Sequence, residues 1–145
     1  MNFLNYTKEV RKMNLPLGKY AILGSGPLAI RGIRDSKDID LIVTPELYFI
    51  IKKQKGWKIR FAYGNFFLRK KPVEIWKKIG FWKNKINIQD FINRSELIDG
   101  LPYVNLEDFI YWKKIAGRKK DKMDIKLAQN WIKENYNIKN YNKIV

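Results

Sequence analysis

Asp38 and Asp40 stand two residues apart at the start of the run Asp38-Ile39-Asp40-Leu41-Ile42-Val43. A strand turns successive side chains to opposite faces, so both acids face one way and Ile39 points into a core. Carboxylates held side by side repel each other and lose solvation unless something positive lies between them. A divalent metal is the simplest such partner. Upstream, Tyr20–Leu23 reads as a buried strand ending in Gly24-Ser25-Gly26, and a short helix follows near Pro27–Gly32. A glycine turn at a helix start offers backbone N–H groups to phosphate oxygens. Acids for a metal beside a turn for phosphate describe a metal-dependent nucleotide-handling site.

Each part has a plainer reading. The glycines can simply make a tight turn, and the acids can be solvated charges at a strand end. Their order is what carries the stronger reading. The glycine turn follows a strand and opens a helix, and the acid pair begins the very next strand.

Glu74 is a third acid to weigh. It lies between Val73 and Ile75 in the short strand Pro72–Trp76, where a lone carboxylate is costly. Either a lysine neutralises it, or it stands on the strand beside Asp38 and Asp40 as a third member of their group.

The chain contains no cysteine and no histidine. Disulfides, thiolate zinc sites, the Ser-His-Asp arrangement and the usual zinc ligands are therefore excluded. Chemistry falls to carboxylates, Lys, Arg, Tyr and hydroxyls, and carboxylate oxygens suit hard ions such as Mg²⁺ or Mn²⁺. With 30 Lys and Arg against 14 Asp and Glu, the formal net charge is +16. Such a field attracts polyanions such as RNA, although a lysine-rich composition throughout explains it equally well. No apolar run approaches the ~20 residues of a membrane span. Lys8, Arg11 and Lys12 interrupt any signal-peptide core, so a cytoplasmic protein is expected.

At 145 residues the chain has the length of one compact domain. The elements that must position the acids read as follows. Asn2–Asn14 is an amphipathic lead-in helix with Phe3, Leu4, Val10 and Met13 at helical spacing. Thr44-Pro45-Glu46 starts a helix that runs to about Gln54, with Leu47, Ile50 and Ile51 inward. Trp57–Tyr63 and Asn65–Lys70 form a hairpin across Gly64. Lys77–Asn87 is an exposed loop around Phe81-Trp82, whose rings fold back into the core or stack bases. Ile88–Arg94 is a short helix, and two short strands flank Gly100. Asn105 caps a helix closed by Gly117, and Asp121 caps the next, with Ile125, Ala128, Trp131 and Ile132 inward. The tail from Asn135 frays.

The run Tyr20–Val43 resembles the nucleotidyltransferase superfamily of DNA polymerase β, particularly its small stand-alone members. Their signature is a hydrophobic strand, Gly-Ser, a spacer and Asp-hydrophobic-Asp. Gly24, Ser25, Asp38 and Asp40 fill those places, and Arg31 and Arg34 lie in the spacer, where relatives often carry a basic residue. A second stretch, Asn105–Asp124, is similar to the same small proteins: Lys113, Arg118, Lys120, Asp121 and Asp124 match a helix ending in Lys and the run Ala-Gly-Arg-x-Lys-Asp-x-x-Asp.

The resemblance implies an α+β polymerase β-like fold: a mixed central sheet, a core over about residues 18–76, and a C-terminal helical part over about 105–135. It implies transfer of a nucleoside monophosphate from an NTP to an acceptor hydroxyl on RNA, a protein or a small molecule. Asp38 and Asp40 would hold Mg²⁺. Gly24, Ser25 and Gly26 would cradle phosphates. Glu74 would be the third metal-binding carboxylate and the base. Arg34, Lys113, Arg118 and Lys120 would hold triphosphate or acceptor. The bland reading of the second stretch is capping and packing by Asp121 and Asp124, with ordinary loop charges. The rival function is a non-enzymatic nucleic-acid binder, or a toxin–antitoxin component, on the same scaffold.

Overall fold

The apolar runs on either side of the glycine turn, Tyr20–Leu23 (β1) and Ile39–Val43 (β2), pair antiparallel in the middle of a seven-stranded mixed sheet. This computed structural model describes residues 2–79 and 86–144. The expected hairpin is present as Lys58–Ala62 (β3) and Asn65–Lys70 (β4). Its two-residue turn puts both Tyr63 and Gly64 at positive φ, the conformation that matches the twist of a tight hairpin. Val73–Trp76 (β5) pairs with β4 on one side and runs parallel to β2 on the other. Glu96–Ile98 (β6) and Leu101–Tyr103 (β7) form a second hairpin, giving the order β3-β4-β5-β2-β1-β7-β6.

Helices cover both faces. Phe3–Lys12 (α1) and Pro45–Lys52 (α3) pack against Ile22, Ile39, Leu41, Val43 and Ile75. On the opposite face lie the single turn Gly26–Ala29 (α2), Ile88–Asn93 (α4), Leu106–Ala116 (α5) and Lys119–Ile144 (α6). Leu28, Phe91, Ile92, Phe109 and Ala128 fill that second core against Ala21, Leu23 and Ile42. The alternation of β2 thus sends Ile39, Leu41 and Val43 to one core, and Asp40 and Ile42 to the other side.

The caps follow the sequence: Asn2, Thr44, Asn87 and Asn105 each accept a backbone N–H three residues on. Gly117 closes α5 in the left-handed conformation. Four expectations need correction. Leu4 and Ile50 are exposed, and Tyr6 and Tyr48 take the inward places, because the buried stripes of α1 and α3 are rotated relative to the simplest spacing. The helix after Gly26 is a single turn. Asp121 sits inside the first turn of α6, where it reaches back to the Arg118 N–H at 3.0 Å, the acidic half of a capping box. The backbone of α6 stays helical to Ile144 and does not fray at Asn135. Phe81 and Trp82 lie outside the described residues. No helix among the described residues is long and apolar enough to cross a membrane.

Candidate active site

Strand register assembles the acids. On β2, Asp40 stands opposite Leu23 of β1 and opposite Glu74 of the parallel strand β5. Asp38 precedes Asp40 by one full pleat and shares its face. One carboxylate oxygen from each of Asp38, Asp40 and Glu74 lies within 4.8 Å of the others. The three acids are not splayed apart, and no lysine among the described residues forms an ion pair with them.

Asp40 is the innermost. Its Oδ1 is buried and is the one such side-chain atom without a hydrogen-bond partner among the described residues. Burial, followed by the charges of Asp38 and Glu74, pushes its carboxyl well above the usual carboxylate range. Asp38 is raised as well, by burial and by Glu74, with Arg69 opposing. Gly24, at φ +60°, packs directly on Asp40, and a Cβ there would fall on the carboxylate. The glycine is required by this close approach as well as by its backbone angle.

Among the described residues one cation enters the group, Arg69, which sequence reasoning did not single out. Arg69 lies opposite Glu74 in the β4–β5 ladder and donates from Nε (2.9 Å) and Nη2 (2.6 Å) to Glu74 Oε2. The signal was available in the short turn at Lys71-Pro72, which fixes the register of the two strands.

The acids floor a cavity of about 510 Å³. Gly24 and Ser25 line it, as do Arg34, Lys113, Arg118 and Lys120. Ser25 caps no helix N–H with its hydroxyl. Gly26 is buried and outside the lining; its missing side chain makes room for Ile22. Trp76 and Trp112 supply flat apolar walls, and Trp76 stacks on Phe67 at 4.2 Å between ring centroids.

Three of the four predicted basic residues are already engaged by carboxylates. Lys113, almost wholly buried, donates to Asp121 and lies 3.1 Å from Asp124. Arg34 grips Asp124 with two hydrogen bonds of 2.8 Å, and Arg118 grips Asp121 at 2.7 and 3.1 Å. Burial alone would raise Asp121, but hydrogen bonds from Arg118 and Lys113 outweigh it and hold the carboxyl below its ordinary value. Arg34 and Lys113 do the same for Asp124. Lys120 is exposed at the cavity, with Nζ 6.0 Å from the centre of the Tyr63 ring. The second sequence stretch, with Arg34, therefore builds a wall in which the four cations Arg34, Lys113, Arg118 and Lys120 stand with the two anions Asp121 and Asp124, and three of the four are already paired.

Compared with models of protein families, with curated proteins and with solved structures, the chain gives no match. The chemistry of the site thus rests on its own geometry. A cluster of oxygen ligands with one orphaned acceptor can hold a hard divalent ion, and the glycine turn beside it leaves room for phosphate.

Proposed function

We propose that the chain is a metal-dependent nucleotidyltransferase of polymerase β-like fold, transferring a nucleoside monophosphate from an NTP to an acceptor hydroxyl of RNA, a protein or a small molecule and releasing pyrophosphate. What carries this reading is the group Asp38, Asp40 and Glu74 on paired strands, in which the buried Asp40 Oδ1 makes no hydrogen bond among the described residues. A buried acceptor without a partner is expensive, and a cation is the ligand that would satisfy it. All-oxygen donors fit Mg²⁺ or Mn²⁺. When bound, such an ion would neutralise charge developing on the transferring phosphoryl group.

The chain's own residues would do the rest. Gly24 and Ser25 would receive phosphate oxygens through the backbone and the Ser25 hydroxyl. Glu74, with Oε2 held by Arg69, would accept the proton of the attacking hydroxyl. Arg34, Arg118 and Lys120 would steer the triphosphate from the cavity wall, and Lys113 would hold that wall rigid. Labelling each NTP in turn, with Mg²⁺ and total cellular RNA or protein, would identify nucleotide and acceptor together. Asp40→Asn should keep the fold and abolish transfer; retained turnover overturns the assignment.

The Arg69–Glu74 ion pair favours one second reading, a non-enzymatic nucleic-acid-binding or toxin–antitoxin protein in which an arginine serves as resident counter-ion. That protein would bind nucleic acid equally well as Asp38→Ala and would show no Mg²⁺-dependent NTP binding.

A further inference from the structure

On the sheet face opposite the acids, the β3–β4 hairpin leaves an apolar surface exposed among the described residues. Ile59, Phe61 and Phe66 are 53%, 62% and 59% exposed, although two of them are aromatic rings in a regular strand pair. Phe61 and Phe66 are cross-strand partners whose rings meet edge to face at 4.9 Å. With Tyr48 of α3 they line a groove of about 450 Å³. Lys52, Lys77 and Lys78 rim it, and no acidic residue among the described residues lines it. Lys77 Nζ lies 4.8 Å from the ring centres of both Tyr48 and Phe49, so a cation is held above the rings at the groove's edge.

The geometry points to a single strand of nucleic acid as the occupant of this groove. Flat exposed rings flanked by cations match a polymer that offers an unpaired base and a phosphate at every step. A duplex keeps its bases stacked inward and gives Phe61 and Phe66 nothing to stack on. A second copy would bring its own three lysines against these three. The net charge of +16 adds a long-range attraction for the same polymer. The groove shares only the hairpin tip at Asn65 with the acid-floored cavity, so it stands whether or not that cavity is a transferase site.

The test is fluorescence anisotropy with a labelled single-stranded RNA of about ten nucleotides, its duplex, and vesicles containing phosphatidylserine. The single strand should bind more tightly than the duplex. The double variant Phe61→Ala/Phe66→Ala should weaken it roughly tenfold or more, with circular dichroism unchanged. Lys77→Gln/Lys78→Gln should weaken it and flatten the dependence of log affinity on log salt by about 1.4. Leu97→Ser, an exposed apolar change at the other sheet edge, should leave binding intact. The proposal is overturned if the Phe61/Phe66 variant binds like the parent. It is equally overturned if duplex and single strand bind alike, if only vesicles bind, or if the aromatic change merely dissolves a dimer seen by sedimentation.

Discussion

Two acid clusters behave oppositely: one lines the cavity, and the other lies buried behind the basic residues that line it. Asp121 and Asp124 are buried, but Lys113, Arg34 and Arg118 surround them, and their carboxyls are held below the ordinary value. Asp38, Asp40 and Glu74 have one arginine among three acids, an unpartnered oxygen, and carboxyls at Asp38 and Asp40 raised above the ordinary value. A buried network in which every acid has a basic partner ties elements together, whereas one whose acids outnumber their cations is a candidate functional site.

The contrast is broken most severely at Lys113. Lys113→Ala strands Asp121 and Asp124 and should destabilise the fold by about 3–5 kcal/mol in urea unfolding. A loss below about 1 kcal/mol would mean that Arg34 and Arg118 suffice without it. Gly24→Ala should cost about 1–2 kcal/mol for its left-handed backbone alone. The added Cβ also displaces Asp40, so Mg²⁺ should protect this variant less from heat than it protects the parent. Equal protection would detach the glycine from the acid group.

Acidity separates the clusters by sign. The lowered carboxyls of Asp121 and Asp124 contribute stability that is present above the ordinary carboxylate pKa of about 4 and lost as pH falls through their folded values. The raised carboxyls of Asp38 and Asp40 contribute stability that is present below that value and lost as pH rises through theirs. Urea midpoints should therefore peak in mild acid. Mg²⁺ should lift the neutral side of the curve and leave the acid side nearly unchanged; a uniform lift would place the ion elsewhere.

Arg69→Gln sharpens the comparison by removing the one cation bonded to Glu74. It should cost the metal-free protein about 1 kcal/mol, a charged hydrogen bond discounted because the arginine side chain is 37% exposed. Added Mg²⁺ should recover the loss, with a larger thermal shift than in the parent. At the bottom of the scale, Lys12→Ala breaks only an exposed pair with Glu9 and should change stability by less than about 0.5 kcal/mol in the same assay.

Much of the acid group could be read before any coordinates. Period-two alternation puts Asp38 and Asp40 on one face, and a carboxylate lodged between Val73 and Ile75 demands a partner. The glycine turn, the hairpin across Gly64 and the cap at Asn105 announce themselves through residue chemistry. Pairings that cross elements do not. Arg69 looked like one of thirty basic residues until β4 set it against Glu74. Lys113 and Asp121 meet only because Gly117 turns α5 into α6, so a motif that suggested phosphate binding is largely occupied by its own acids. Gly26 resembled part of a cradle, but its surroundings in the fold show a packing contact with Ile22.

Strand order has a consequence for motion. β2 is the fourth of seven strands, with three on either side, whereas β3 has a neighbour on one side only. Amide exchange should be slowest at Leu41 and Ile42 and fast along Lys58–Ala62, because an edge hairpin opens by itself and the middle of a sheet opens with the whole molecule. The acids of β2 then keep their spacing for as long as the protein is folded at all, while the edge strand β3 can loosen and leave the Arg69–Glu74 pair of β4 and β5 in place.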